Sequence, residues 1–337
     1  MSAKPLVSIG LMVYNGGRFL RGTLDSLLSQ TFTNFELIIS DNCSTDDTSA
    51  ICVEYAQRDA RIRYYRAERN MGAGWNTRKV LSLATAKYFK LAAHDDRCEP
   101  RFLERCIEAL ERDPSLVLAY PKARIVNENG VFVENYDWPL RTSSHDPKVR
   151  FYDLLLNDHL CLQFFGVIRL AALHKLPPPG SYVNSDGVIL AQLGLLGAFY
   201  EVPEILFIST RHGGQSSKTP PARVKVKGFR LTRRHGTLPC PEWWDPSTAK
   251  AITFPEWRQL REYFLSVGYG DLRLSQRLRC YLMLLPWISK HFRRMMKDVV
   301  IAADQLLYNL QASRSASKQA SVTAGNSVSI GPTASEE

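Results

Sequence analysis

Short apolar runs alternate with amphipathic stretches along the first third of the chain. The runs at 7–13, 35–40 and 88–93 predict buried strands, and 61–65 predicts an edge strand. Apolar residues at helical spacing lie between and after them, over 20–28, 45–55, 74–84 and 100–110. Strands that alternate with helices predict an α/β fold with a mostly parallel central sheet and flanking helices.

Polar side chains follow three of these strands at the point where each strand ends. They are Tyr14, Asn15, Asp41, Asp95 and Asp96. The carboxyl ends of parallel strands share one edge of a sheet, and ligands of open α/β sheets bind at that edge. The sequence therefore predicts a binding site there.

The pattern is less regular after residue 115. We predict strands at 163–168, 198–202 and 205–210, and a buried helix at 188–196. Residues 218–241 are basic and lack periodicity, which indicates a loop. Residues 272–310 predict amphipathic helices interrupted at Pro286.

This pattern divides the chain into three parts. An α/β domain at 1–217 has a regular half at about 1–120 and a less regular half at about 121–217. It precedes a basic, partly helical C-terminal extension at 218–312. The tail at 313–337 is rich in Ser, Ala, Gly and Thr and is predicted to be disordered.

Charge is distributed unevenly along the 337 residues. Residues 211–300 hold 18 Lys and Arg against 6 Asp and Glu, whereas the rest of the chain holds 25 against 27. A basic segment favours an anionic partner such as phosphate, a lipid surface or nucleic acid. It lacks the interleaved aromatic residues of a nucleic-acid platform, so we expect no nucleic-acid partner.

The seven cysteines are odd in number and form no C-x-x-C pair, which argues against a zinc site or a disulfide framework. The N-terminal residues lack the apolar core of a signal peptide, and no apolar run approaches about 20 residues. We therefore expect a cytoplasmic protein, with peripheral contact at the inner face of a membrane as an open alternative.

Two acidic motifs at strand ends carry candidate chemistry. His94-Asp95-Asp96 would attract a hard cation such as Mg²⁺ or Mn²⁺, although a solvated loop before a helix explains it equally well. Asp41 could accept the ring N–H of a pyrimidine, whereas Thr45 and Asp46 fit a helix cap.

Two later motifs have alternative explanations. Arg211 could hold a diphosphate and His212 a metal, but a lone histidine is more often structural. Asp186 precedes an apolar helix, where it could be a general base or an N-cap.

Together these motifs resemble the family 2 inverting glycosyltransferases with the GT-A fold. The resemblance covers about residues 5–216 and is most specific over 7–48, VSIGLMVYNGGRFLRGTLDSLLSQTFTNFELIISDNCSTDDT. Further matches, in the family's order, are Asn70-Met71-Gly72 with Asn76, His94-Asp95-Asp96, Ser185-Asp186 and RHGGQSS at 211–217.

The resemblance implies that 1–217 is a GT-A catalytic domain with its donor half at about 1–120 and its acceptor half at about 121–217. It also implies a role for each matching residue. Asp96 and His212 would hold Mn²⁺ or Mg²⁺ against the donor diphosphate, and Asp186 would deprotonate the acceptor hydroxyl. Inversion would follow from a single displacement. The nucleotide-sugar donor would be bound by Val13, Tyr14, Asn15, Asp41, Asn70, Asn76, Asp95 and Arg211.

The chain departs from the family pattern at two positions. His94 stands where an additional Asp is frequent, and Ser185 stands where Glu often precedes the base. The Gln-x-x-Arg-Trp motif of processive synthases is absent, which favours addition of a single sugar to a saccharide or lipid-linked acceptor. The expected pathway is assembly of a surface polysaccharide or glycolipid.

Two other functions fit some of these residues. A nucleotidyltransferase acting on a sugar phosphate could use a nucleotide, Mg²⁺ and strand-end acids, but Gly16-Gly17-Arg18 is only a faint phosphate loop. A non-catalytic sugar-nucleotide-binding scaffold would have no need of a base such as Asp186.

The basic segment 272–297 also carries an apolar stripe. Leu274, Leu278, Leu282 and Leu285 recur at helical spacing among seven Lys and Arg residues. Such a stripe either packs against the catalytic domain or lies on an anionic membrane.

Overall fold

The computed structural model describes residues 4–215, 241–248 and 251–326. Within them, strands form one sheet in the order β3-β2-β1-β4-β8-β6-β9-β5, with β7 added beside β6. The strands are β1 (Val7–Val13), β2 (Phe35–Asp41), β3 (Ile62–Arg66), β4 (Tyr88–Ala93), β5 (Arg97–Cys98), β6 (Leu116–Asn127), β7 (Phe132–Tyr136), β8 (Val167–Arg169) and β9 (Ala198–Arg211).

Helices cover the sheet and form the C-terminal part of the described chain. They are α1 (Gly17–Leu28), α2 (Thr48–Arg58), α3 (Ala73–Leu83), α4 (Phe102–Arg112), α5 (Pro147–Leu156), α6 (Leu170–Leu173), α7 (Ser185–Leu196), α8 (Pro241–Trp244), α9 (Pro255–Ser266), α10 (Leu274–Leu282) and α11 (Leu284–Asn326). The predicted fold class, with its helical C-terminal part, is confirmed.

The first half of the sheet is parallel and buried on both faces. β1 pairs with β2 and β4, and β2 pairs with β3. Because helices cover both faces, β1 and β2 are buried almost continuously rather than at alternate positions. At Gly10, a Cβ atom would lie 2.8 Å from Val80 Cβ, so the glycine permits close packing of α3 on β1.

The second half of the sheet is mixed. β6 and β9 form a long parallel ladder, and β8 joins the two halves through antiparallel pairs with β4 and β6. The strands predicted at 198–202 and 205–210 are one strand, β9, because its register with β6 shifts around 203–204 without breaking the ladder. A bulge of this kind mimics a strand break in sequence.

The strand predicted at 163–168 is wrong in its first half. Residues Leu162–Phe165 form a 3₁₀ turn, and strand β8 begins only at Val167. Cys161 starts the turn in the left-handed region, at φ 56°. Short apolar runs do not distinguish a strand from a turn of helix by periodicity alone.

The helix predicted from residue 45 begins three residues later, at Thr48. Asp46 lies in the preceding turn, where its carboxylate accepts hydrogen bonds from Gly17 N at 3.0 Å and Thr48 N at 3.1 Å. Tertiary contact with the loop after β1 therefore sets the start of α2.

The C-terminal helices share the core of the sheet domain. Tyr263 of α9, Cys280 of α10 and Trp287 and Met295 of α11 are buried together with apolar residues of α5 and α7. The four leucines of the predicted stripe are not part of this core, since each is more than half exposed.

Two features of the C-terminal helices differ from the prediction. The break falls at Met283, and Pro286 lies in the first turn of α11, where a missing N–H costs nothing. Helix α11 continues to Asn326, through residues that were predicted to be disordered, because no Gly or Pro interrupts 287–324.

The loop predicted at 218–241 lies outside the described residues except for its last position, 241, which begins α8.

Two negative findings apply to the described part of the chain. Its six cysteines are all free. None of its helices combines the length and hydropathy that crossing a membrane requires.

Candidate functional site

The ends of β1, β2 and β4 meet at one edge of the sheet, as predicted. Val13 is paired with Asp41 in the parallel register, and β4 lies on the other side of β1. The buried amide of Asn76 ties these ends to α3, because its Nδ2 donates to Ser40 O at 3.0 Å and Val13 O at 3.3 Å. Its Oδ1 has no hydrogen-bond partner within the described structure.

The turn after β1 is held by the loop after β2. Asn15 has a φ of 51°, its N–H donates to Ser44 Oγ at 2.9 Å, and its Oδ1 accepts from Thr45 N at 2.8 Å. A side chain at Gly16 would collide with the His94 ring. The turn leaves the Tyr14 side chain 41% exposed at the strand edge, where it can contact a ligand.

The carboxylate of Asp41 is fully buried and has three partners. Oδ1 accepts from Ser44 N at 2.9 Å, while Oδ2 accepts from Tyr64 OH at 2.9 Å and lies 3.4 Å from Arg66 Nε. Burial raises the pKa of Tyr64 to about 12, so this phenol stays protonated as a donor. Asp41 therefore holds the loop after β2 against β3, and its recognition of a pyrimidine stays a prediction.

Asn70 belongs to an amide network beside Asp41. Asn42 Nδ2 donates to Asn70 Oδ1 at 2.9 Å, and Asn42 Oδ1 accepts from Met71 N at 2.9 Å. Gly72 follows with a φ of 84°, which glycine adopts without strain. The structure thus places Asn70 next to the predicted nucleoside pocket, held by Asn42.

Asp95 and His212 are brought together from β4 and the end of β9. His212 Nε2 lies 2.8 Å from Asp95 Oδ2, and both side chains are largely buried. The Phe19 ring packs beside the imidazole, with centroids 4.7 Å apart. The two residues are 117 positions apart in the sequence, and both were predicted to belong to the site.

Asp96 points in a different direction from Asp95. Its Oδ1 accepts from Thr210 N at 2.9 Å, which links the loop after β4 to β9. Burial, followed by repulsion from the Asp95 carboxylate, raises the pKa of Asp96 well above its ordinary value. A nearby cation would stabilise the ionised form of an acid in this position.

The donors at this edge fit a divalent cation. A carboxylate and an imidazole suit Mn²⁺, and such ions commonly take one or two protein carboxylates together with phosphate oxygens and water. Gly214 N donates to His212 Nδ1 at 3.2 Å, so Nε2 carries the proton of the neutral ring. A cation at Nε2 would replace that proton. No cluster of three or more His, Cys, Asp or Glu suited to a metal occurs within the described ranges.

Arg211 lies beside His212 but has a different partner. Its guanidinium is 2.8 Å from Glu134 on β7, and its side chain is 40% exposed. The structure therefore does not bring Arg211 into contact with Asp95 or Asp96. A diphosphate contact would require the side chain to leave Glu134, and that role stays a prediction.

Asp186 lies in the first turn of α7 in an enclosed setting. Its Oδ1 accepts from Gly187 N at 3.0 Å, and the Cys161 thiol interacts with its carboxylate. Burial raises the pKa of Asp186 above its ordinary value of 3.8. The N-cap of α7 is Asn184, so Asp186 is not the capping residue. A raised pKa suits a general base, because it strengthens the carboxylate as a proton acceptor.

The sequence did not indicate that α9 holds the segment before Asp186. Asn184 has a φ of 64°, and its Nδ2 donates to Tyr263 OH at 3.2 Å and Gln259 Oε1 at 3.4 Å. Gln259 Nε2 donates in turn to Val183 O at 3.3 Å. Tyr263 and Gln259 are therefore positioning residues for the start of α7.

Tyr263→Phe is expected to lower kcat about three- to tenfold while leaving nucleotide affinity unchanged. The change removes one hydrogen bond that fixes Asn184, worth about 1 kcal/mol, but touches no residue of the nucleoside side. Steady-state kinetics with nucleotide titrations measures both. Tyr269→Phe, at a partly exposed tyrosine, is the matched control. Equal losses in both variants would contradict a positioning role.

Other residues of the site also carried no sequence signal. Tyr64 and Thr210 lie inside strands, and His159 and Cys161 lie in an irregular segment. His159 Nδ1 accepts from Cys161 N at 3.2 Å, which sets the thiol beside Asp186. Their roles depend on contacts between distant segments, which a single sequence does not display.

Comparison with known proteins agrees with this geometry. The model of the family described as Glycosyl transferase family 2 matches residues 8–176, about half of the chain. Chondroitin synthase of Escherichia coli is 33% identical over 137 residues, 40% of this chain and 20% of that protein. The putative teichuronic acid biosynthesis glycosyltransferase TuaG of Bacillus subtilis is 31% identical over 155 residues, 46% of this chain and 58% of that protein.

Solved structures show the same fold. S. aureus TarS 1–349 in complex with UDP superposes with a TM-score of 0.56 at 17% identity, covering 85% of this chain and 72% of that chain. The same fragment in complex with UDP-GlcNAc gives a TM-score of 0.56 at 18% identity, with the same coverage. These likenesses confirm the predicted GT-A-type fold.

Proposed function

Because this chain belongs to glycosyl transferase family 2, we propose that it transfers a sugar from a UDP- or dTDP-linked donor to an acceptor hydroxyl with inversion. One observation carries the proposal. The Asp95–His212 pair, 2.8 Å apart, lies near the carboxyl ends of the parallel strands. Tyr14 follows β1 and Asp41 ends β2 at the same side of the sheet. In this arrangement the nucleoside would lie beside β1 and β2, and the diphosphate would lie beside the loop after β4.

The donor would lie along this edge. Tyr14 offers an exposed ring to the nucleoside, and the buried Asp41 network, with Asn70 and Asn76 behind it, fixes the loops around the base. Asp95, His212 and the predicted ligand Asp96 would hold Mn²⁺ or Mg²⁺ beside the diphosphate. When bound, the cation offsets charge on the departing nucleoside diphosphate.

Asp186 would act on the acceptor. Its carboxylate takes the proton of the acceptor hydroxyl as that oxygen forms a bond to the anomeric carbon. The bond from the anomeric carbon to the diphosphate oxygen breaks on the opposite face, and its electron pair leaves with the nucleoside diphosphate. This single displacement inverts the anomeric configuration.

The relatives favour a role in polysaccharide assembly. Two of them are named for chondroitin synthesis and for teichuronic acid biosynthesis. We propose a single addition per encounter to a saccharide or lipid-linked acceptor, in the cytoplasm or at the inner face of the membrane. Exposed apolar residues within 272–297 support the second location.

The test is a donor screen. Nucleotide sugars with different bases and sugars are incubated with the protein, candidate acceptors and Mn²⁺ or Mg²⁺, and the released nucleotide is identified. Release of a nucleoside diphosphate, lost in Asp186→Asn, is expected. Release of pyrophosphate from nucleoside triphosphate and sugar phosphate would instead identify a nucleotidyltransferase. Tight donor binding without any turnover would favour a scaffold.

A further inference from the structure

An uncovered apolar stripe runs along α10 and α11. Leu274 is 72% exposed, Leu282 is 62% exposed and Leu285 is 59% exposed. The stripe continues through further exposed side chains on α11. These are Phe292, Met296, Val299, Val300, Leu306, Leu307 and Leu310.

The spacing places these residues on one side of the helices. Within each helix, at about 100° per residue, the members fall within an arc of about 120° or less. At 1.5 Å per residue the stripe is about 12 Å long on α10 and about 38 Å long on α11. The adjacent face of α11, with Trp287, Met295 and Ala302, packs into the core. The stripe is therefore a second apolar face that the described chain does not cover.

Cations flank the stripe on the side away from the core. Exposed Arg279, Arg293 and Arg294 lie there, together with Lys297. Lys290 instead contacts the sheet domain, where its Nζ lies 2.8 Å from Asp158 Oδ1 and donates to Leu156 O at 3.1 Å. Residues 274–310 contain six Lys and Arg against two Asp and Glu. The surface thus joins an apolar stripe to a basic border.

We propose that this surface lies on an anionic lipid bilayer. An apolar helix face with a cationic border inserts shallowly into the interface between headgroups and acyl chains, and each cation near the surface adds to the attraction. A second copy of the chain would bring the same excess of cations, six Lys and Arg against two Asp and Glu over 274–310. Charge complementarity therefore favours lipid over self-association.

This attachment would place the catalytic domain beside the bilayer. Trp287 and Met295 anchor α11 in the core, so the stripe and the sheet domain would move as one body. A lipid-linked acceptor would then be held near the enzyme by the membrane. Lipid binding does not depend on sugar transfer, so either proposal can fail while the other stands.

Flotation of the full chain with vesicles tests the proposal. Vesicles of phosphatidylcholine alone are compared with vesicles containing phosphatidylglycerol. The unmodified protein is expected to float with the anionic vesicles and to be released by high salt. Leu278→Gln with Leu282→Gln is expected to lower the bound fraction about tenfold or more, because two inserted side chains are lost. Arg293→Gln with Arg294→Gln should weaken binding to anionic vesicles.

Matched controls are available elsewhere on the surface. Val131 is 60% exposed on the sheet domain, and the Arg58 side chain is 68% exposed on α2, so Val131→Gln and Arg58→Gln should float like the unmodified protein. The leucine variant should keep its melting temperature, since both leucines are exposed. Absence of flotation, or flotation unaffected by the leucine changes, would overturn the proposal. Sedimentation velocity showing a dimer abolished by those changes, without vesicle binding, would assign the stripe to a second copy.

Discussion

Asp186→Asn is expected to lower kcat about a thousandfold while leaving the affinity for the nucleoside diphosphate near normal. A positioned general base contributes about 10²- to 10⁴-fold, and the amide cannot accept the acceptor's proton. Asn keeps the size of the side chain and can still accept from Gly187 N. Single-turnover kinetics and calorimetric titration of the nucleotide separate the two quantities.

The matched control is Asp146→Asn, because Asp146 is a true N-cap. Its side chain accepts from Lys148 N at the start of α5. That variant should lose about 1 kcal/mol of stability or less and keep its activity. If Asp186→Asn instead lost stability and retained turnover in the folded fraction, Asp186 would be structural and the base would lie elsewhere.

The pH dependence follows from the same carboxyl group. The base acts in its ionised form, and burial raises the pKa of Asp186 above 3.8. The rate should therefore fall as pH drops through a value above 3.8, and it should do so at higher pH than an exposed aspartate would require. A profile of kcat against pH measures this limb. Perturbed carboxyl groups titrate between about pH 4 and 7. A kcat that does not change over that range would contradict this prediction.

Asp95→Asn is expected to lower kcat/KM about a thousandfold and to remove the effect of Mn²⁺ on nucleotide affinity. A metal supplies several kcal/mol of stabilisation to the leaving group, and an amide is a much weaker ligand than a carboxylate. The amide oxygen can still accept from His212 Nε2, so the fold should be preserved. Titration of the nucleoside diphosphate with Mn²⁺ or with chelator measures the coupling.

Asp96→Asn and an exposed control complete this experiment. If Asp96 is a ligand as predicted, its variant should lose the same Mn²⁺ effect, while Asn accepts from Thr210 N as before. Glu128→Gln changes an exposed carboxylate and should have no effect. Full Mn²⁺ stimulation in both aspartate variants would rule out a cation at this strand edge.

The first half of the fold was predictable because its signals are local. Strands buried on both faces form continuous apolar runs, and the polar residues that end them locate the site. That Asp41 lies at the same end of the sheet as Val13 follows from that reasoning, whereas their direct pairing is known only from the structure. The start of α2 was predicted three residues too early, because the turn that contains Asp46 also depends on Gly17 N, 29 residues away.

The pairing of Asp95 with His212 could not be read from sequence. The two residues lie 117 positions apart, and their contact requires β9 to run beside β6 and to meet the loop after β4. Periodicity predicts elements but not which of them become neighbours. The hydrogen bond from Asn184 Nδ2 to Tyr263 OH could not be predicted for the same reason.

The anomeric configuration of the transferred sugar tests the central claim most directly. The protein is incubated with the donor selected by the screen and an acceptor, and proton NMR reads the coupling of the anomeric proton in the product. We predict a glycosidic bond of configuration opposite to that of the donor, with one nucleoside diphosphate released per bond formed. A product that retains the donor's configuration, or nucleotide release without a new glycosidic bond, would contradict the account.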